Sequence, residues 1–165
     1  MTPLYWVSVT LHVLAAMLWL GGMMFLGLVG APALRAVEPT ALRQQLFHSL
    51  GVRFRAAGWV AILMLVATGL LNLHFRGLLQ WSGVLNDAGF WRSAAGRALA
   101  VKLGTVTIML SVAAIHDFVI GPAAGRVMAG SPEALRLRRR AALLARTNAL
   151  VGVVLVIAAV RLARG

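Results

Sequence analysis

Four long apolar runs constrain this chain more than any other feature of its sequence. They cover about residues 4–29, 54–75, 98–120 and 141–162. Each run reaches or approaches the roughly 20 residues that a helix needs to cross the hydrocarbon core of a bilayer. Helices are required there because hydrocarbon offers the backbone polar groups no other partner. The sequence therefore predicts an all-α membrane protein, with residues 1–165 forming a single four-helix transmembrane bundle.

The overall composition agrees with a chain that lies mostly in lipid. Hydrophobic residues make up 61% of it, charged residues only 12%, and the mean hydropathy is +0.87. Soluble domains carry roughly twice that share of charged residues. The first run has no basic residue before it and is longer than the apolar part of a signal peptide, so we interpret it as a retained helix in the lipid bilayer.

The positions of the positive charges predict the orientation of the chain. The net charge is +12, and ten of the sixteen basic residues lie between the first two or the last two runs, or just inside the adjoining ends of those runs. They are Arg35, Arg43, Arg53, Arg55, Arg126, Arg136, Arg138, Arg139, Arg140 and Arg146. The positive-inside rule then puts both termini and the loop 76–97 outside, in what we expect to be a bacterial inner (plasma) membrane. No nucleic-acid-binding motif accompanies these charges, so nucleic acid is not an expected partner.

The inventory of reactive side chains narrows the chemistry. The chain has no cysteine, which excludes disulfides, thiolate metal sites and thiol catalysis. The acidic residues Asp87, Asp117, Glu38 and Glu133 all lie in loops or at the ends of runs, and no phosphate-binding loop is present. Hydrolytic and phosphoryl-transfer reactions are therefore not expected.

His12 is the polar residue that most needs an explanation, because it lies inside the first apolar run. Burying an ionisable side chain in hydrocarbon costs several kcal/mol unless a partner or a metal satisfies it, so such a histidine is a functional-site hypothesis. The alternative is a neutral histidine hydrogen-bonded to a neighbouring helix. His12 shares a stripe at spacings of three and four with Trp19 and several small residues, which permit close helix packing without any cofactor.

Depth along the helices separates the other polar residues into two groups. With a rise of 1.5 Å per residue, His12 lies roughly 12 Å and Lys102 roughly 6–8 Å below the outer surface, while His74 ends the second run. These three form a predicted outer cluster. His48 and His116 form a weaker inner pair near the cytoplasmic side.

The outer cluster suits haem iron, for which histidine is a usual axial ligand. We predict His12 as one ligand, His74 or Lys102 as the second, and Trp19 beside the cofactor. The alternatives remain that His74 and Lys102 extend their polar ends to the interface, that His48 is solvated, and that His116 is hydrogen-bonded to Asp117.

Several short motifs resemble known membrane families. The segments LHVLAAMLWLGG (11–22), APALR (31–35) and ATGLLN (67–72) resemble copper-resistance D (CopD-type) membrane domains. The early histidine together with VKL (101–103) is more distantly similar to HemJ-type protoporphyrinogen oxidases. The resemblance implies a four-helix bundle that binds b-type haem, copper or both, with His12 and Lys102 at the haem-associated positions. His74 is not part of that pattern, so the ligand pairing stays open.

Copper is the second candidate metal. Five methionines fall within the runs, where thioether sulfur together with imidazole suits Cu(I). Methionine is also an ordinary residue of apolar interiors, and with no Met-x-x-Met motif in the chain, core packing is the favoured explanation of these positions. If copper binds, we expect histidine as its main ligand, at His116 with Asp117 and His48, or at an outer histidine.

The sequence thus predicts a haem b-binding integral membrane redox protein, a candidate haem-dependent oxidoreductase. Its iron would exchange electrons with a quinone, a copper ion or a porphyrin-like substrate. A copper-handling protein without haem, for tolerance or transport, is the first alternative. A cofactor-free membrane assembly subunit is the second, and association of two copies is open in each case.

Overall fold

The computed structural model describes residues 2–79, 84–127 and 131–164, and within these ranges it contains helices and no strand. Four helices are long and apolar enough to cross a membrane: α1 (Pro3–Arg35), α2 (Thr40–Phe75), α3 (Ala94–Ala123) and α4 (Pro132–Arg164). A 3-10 turn (Val84–Asn86) and a short helix (Ala88–Arg92) precede α3. The predicted fold class, an all-α membrane protein with four spanning helices, is confirmed.

The helices extend beyond the apolar runs from which they were predicted. α2 begins at Thr40, well before the second run, and α4 begins at Pro132 among basic residues. A helix has no reason to end where the hydrocarbon ends, because its backbone hydrogen bonds continue equally well in water. Basic turns therefore carry α2 and α4 beyond the lipid-facing segment.

The chain divides into two compact units, Met1–Ala88 and Gly89–Gly165. In the first unit α1 and α2 run antiparallel. Tyr5 meets Phe75 with ring centroids 6.0 Å apart in an edge-to-face arrangement. Further along the pair, the buried indole of Trp19 lies against Gly58. Glycine admits the large ring here, which is how helices approach closely in lipid.

The second unit pairs α3 with α4. Leu99 and Met109 of α3 and Ala158 of α4 are buried hydrophobic residues, and Asn148 of α4 is a buried polar one. The N-terminus of α3 is capped by Ser93, whose hydroxyl oxygen accepts the amide hydrogen of Gly96 at 3.1 Å. This cap satisfies one of the backbone amides that a helix start leaves without an intrahelical partner.

Two of the long helices contain wide π-helical turns. α1 contains Met17–Gly21 and Leu26–Gly30, and α3 contains Ile115–Ile120. The last two each precede a proline by two residues, Pro32 and Pro122. Proline has no amide hydrogen to donate, and its ring clashes with the carbonyl group four residues earlier. The wider turn relieves this clash and lets the helix continue.

Candidate functional site

His12 lies between α1 and α2 and makes a direct hydrogen bond across that interface. Its Nδ1 atom is 2.8 Å from the hydroxyl oxygen of Thr68, and the side chain is half-buried. A Cβ atom placed on Gly69 would lie 3.5 Å from Cε1 of His12, so the imidazole lies against bare backbone. Thr68 and Gly69 therefore form a narrow, polar contact surface for the imidazole ring.

The partners of Thr68 fix the tautomer of His12. The Thr68 hydroxyl donates its hydrogen to the carbonyl oxygen of Met64, one turn earlier on α2, at 2.6 Å. A hydroxyl has one hydrogen and two lone pairs, so towards His12 it accepts. The neutral His12 therefore carries its hydrogen on Nδ1, and Nε2 carries the lone pair. Nitrogen in this form is a metal ligand, and a hydrogen bond from the other ring nitrogen is the usual support of such a ligand.

Two further polar groups of the first unit lie close to this hydrogen bond. The buried hydroxyl of Ser8 donates to the carbonyl oxygen of Thr68 at 3.4 Å, one turn before His12 on α1. One turn beyond Thr68 on α2, the buried amide oxygen of Asn72 has no hydrogen-bond partner among the described residues. A polar row thus lies inside an apolar helix pair; it consists of Ser8, His12, Thr68 and Asn72.

Trp19, predicted beside the cofactor, lies two turns from His12 along α1. Seven residues correspond to about 10 Å of helix rise, and the indole packs against Gly58 with a closest approach of 3.7 Å to the position of a Cβ atom there. Its exposed fraction is 7%. Packing between α1 and α2 is therefore enough to explain a tryptophan at position 19.

His74, a predicted second ligand, lies at the far end of the polar row. It is exposed, six residues beyond Thr68 on α2, which corresponds to about 9 Å of helix rise. Its ring centroid is 6.0 Å from that of Phe75. His12 and His74 therefore belong to the same helix pair but to different levels of it.

The remaining predicted ligands are placed as follows. Lys102 is half-buried on α3, and His48 is exposed on α2 rather than in a loop, about 30 Å of helix rise from Thr68. His116 lies in the π-helical turn of α3, where its Nδ1 is 2.8 Å from a carboxylate oxygen of Asp117. The hydrogen bond considered as the alternative role of His116 is thus present.

Within residues 2–79, 84–127 and 131–164, no three histidine, aspartate or glutamate side chains come together as a metal site. A metal held by protein ligands alone commonly needs three or four of them. A haem iron needs only one or two, because the porphyrin supplies four nitrogens. His12 could supply one such ligand.

Sequence reasoning singled out His12 and gave a hydrogen bond to a neighbouring helix as the alternative to a metal. That hydrogen bond is present, but its acceptor Thr68 was not identified from the sequence. Thr68 and Asn72 stand four residues apart in the second apolar run, a spacing that places both on one helix face. That spacing was the available signal. Nothing in the sequence, however, indicates which face of α2 meets His12, so the pairing with Thr68 emerges only from the packing.

The hydrogen bond between His12 and Thr68 is testable through a double-mutant cycle. We expect His12→Ala and Thr68→Val to couple by about 1 kcal/mol in the free energy of unfolding, the scale of side-chain hydrogen bonds between helices in lipid. Unfolding of the purified protein in mixed micelles measures it. Thr107→Val is the matched control, because the Thr107 hydroxyl donates to the carbonyl oxygen of Leu103 in its own helix. Equal coupling of His12 to both threonines would contradict the contact.

Comparison with known proteins gives a family but no activity. The family model that matches is "Domain of unknown function (DUF4149)", over residues 14–133. A protein of Aquifex aeolicus (strain VF5), named "Uncharacterized protein", is 32% identical over 112 residues. The match covers 67% of this chain and 66% of that relative, so the chain spans slightly less than two thirds of the relative's length. No solved structure matches the chain.

These findings correct the family resemblance drawn from the sequence. The assignment to CopD-type domains, with a distant likeness to HemJ-type oxidases, is wrong, because the matching family is a different one. Most residues of the motifs behind it are Gly, Ala, Leu, Trp and Thr, and most of these lie in apolar runs. Such residues recur in unrelated membrane helices, since close packing in lipid favours small residues and interfaces favour aromatic ones.

Proposed function

The chain belongs to the DUF4149 family, and we propose that it is an integral membrane protein that binds haem b through Nε2 of His12. The iron would exchange electrons with a quinone, a copper ion or a porphyrin-like substrate. We place it in a bacterial inner membrane.

The single observation that carries this proposal is the state of the His12 ring. The Thr68 hydroxyl donates its hydrogen to the carbonyl oxygen of Met64 and accepts the Nδ1 hydrogen of His12. The lone pair of the His12 ring therefore lies on Nε2, within an apolar span. Haem is large, flat and mostly apolar, and the apolar side chains of Val13 and Leu14 are exposed next to His12 in the sequence. The macrocycle could therefore contact apolar surface while one nitrogen binds the iron.

His74 is the candidate for the second axial ligand within the first unit. It is exposed at the end of α2 and would give iron with two imidazoles. Ligand identity sets the potential and the spectrum of haem, so substitution of His74 tests this pairing.

An optical spectrum of the purified full-length protein tests the function. We expect a Soret band and, on reduction, sharp α and β bands, with one haem per chain. His74→Ala should change the band positions while His12 retains the haem. His116→Ala is the control and should leave the spectrum unchanged, because His116 bonds to Asp117 in the second unit.

Two other results would replace the proposal. Bound copper in elemental analysis, without a Soret band, would support a copper-handling protein instead. Neither haem nor copper after expression with ample supply of both would support a cofactor-free assembly subunit. In the second case the hydrogen bond of His12 would be structural only.

A further inference from the structure

We propose that the second unit binds one anionic phospholipid in a groove between the start of α3 and the end of α4. The groove has a volume of about 400 Å³, within the range of small-molecule sites. Small and branched apolar residues line most of it, namely Ala94, Ala98, Val101, Val154 and Ala158.

Two arginines complete the lining, Arg97 from α3 and Arg161 from α4. None of the described lining residues is acidic, so the groove carries positive charge without a compensating carboxylate of its own. Guanidinium groups bind phosphate oxygens through paired hydrogen bonds, which favours a ligand that carries a phosphate.

The charged and the apolar lining residues lie at different levels along the helix axes. Arg97 stands near the beginning of α3 and Arg161 near the end of α4, where the candidate spans begin and end. Val101 lies about 6 Å and Val154 about 10 Å further into the span by helix rise. Charge at the interface and apolar surface below it match an amphiphile with an anionic head and a hydrocarbon tail.

Arg97 is held in place by its own segment. Its Nη1 donates to the backbone carbonyl of Arg92, which immediately precedes the capping residue Ser93. A guanidinium carries five N–H donors, so this bond leaves donors for a phosphate. Since phospholipid surrounds every spanning helix, a phospholipid with net negative charge is the occupant that the groove fits.

The test is a lipid titration of the full-length protein in detergent, followed by native mass spectrometry. We expect phosphatidylglycerol to bind at least about tenfold more tightly than phosphatidylcholine with the same acyl chains. Both lipids carry the phosphate, but the choline cation of phosphatidylcholine is repelled by the two arginines of the groove. Arg161→Gln should abolish the preference. Val154→Phe, at a half-exposed position, should weaken both lipids by filling the groove.

Arg139→Gln is the matched control, because Arg139 is exposed on the same helix at its other end. It should leave the preference intact. Equal binding of the two lipids, an equal effect of Arg139→Gln, or competition by inorganic phosphate alone at similar concentration would each overturn the proposal. The haem assignment is independent of this outcome, because its readout is the optical spectrum.

Discussion

Replacing His12 with alanine is expected to abolish haem binding, so that the purified variant shows no Soret band. The reason is that Nε2 of His12 is the proposed iron ligand, and alanine offers no atom in its place. The helix pair should survive the change, because the Thr68 hydroxyl keeps its bond to Met64. Circular dichroism and size-exclusion chromatography check the fold, and haem extraction checks the content.

Two further variants make this prediction specific. Thr68→Val removes the acceptor of the Nδ1 hydrogen, and loss of such a supporting group lowers metal affinity by about 10–100-fold. His48→Ala is the matched histidine control and should retain full haem, because His48 is exposed far along α2. Added imidazole should restore a haem spectrum to His12→Ala. If His12→Ala retains a normal haem content, the assignment of His12 as the iron ligand is wrong.

Gly96→Ala is expected to destabilise the second unit by about 3 kcal/mol or more. A Cβ atom at Gly96 would lie 2.7 Å from the carbonyl carbon of Phe90 and 2.8 Å from Cα of Trp91. The carbonyl oxygen of Phe90 would be closer still. These are backbone atoms, so rotation of a side chain cannot relieve the overlap. The short helix Ala88–Arg92 would have to move away from α3.

Gly104→Ala is the control, because the same substitution at this position is expected to have the opposite effect on stability. A Cβ atom at Gly104 would meet nothing within 4 Å, although both glycines lie in α3. Alanine in an unobstructed helix position is favoured over glycine by about 1 kcal/mol. The same substitution should therefore stabilise at position 104 and destabilise at position 96, measured as the free energy of unfolding. Equal effects at both positions would show that the contact with Phe90 is absent.

Much of the fold followed from the sequence because lipid imposes simple requirements. Long apolar runs must be helical, and four of them were recognisable by length and hydropathy alone. The beginning of α4 did not follow, since its basic turns continue the backbone hydrogen bonds beyond the apolar stretch. The π-helical turns could not be predicted either, because they leave no recognisable periodicity in the sequence.

The candidate site was only half predictable. An imidazole in an apolar run signals a constraint wherever it occurs, which singled out His12. The choice of Thr68 as its partner depends on the rotation of α2 about its axis, and that rotation is set by contacts such as Trp19 against Gly58. The family resemblance failed for a related reason: the same packing requirements shape motifs in many membrane families.

The wide turns of α1 bear on how this helix tolerates changes in length. In the second of them the amide of Ala31 donates to the carbonyl of Leu26, five residues back instead of four. Such a turn holds one surplus residue, as an insertion would. A single deletion near Leu28 could thus be absorbed as the bulge tightens into regular helix, leaving the register of His12 against Thr68 untouched.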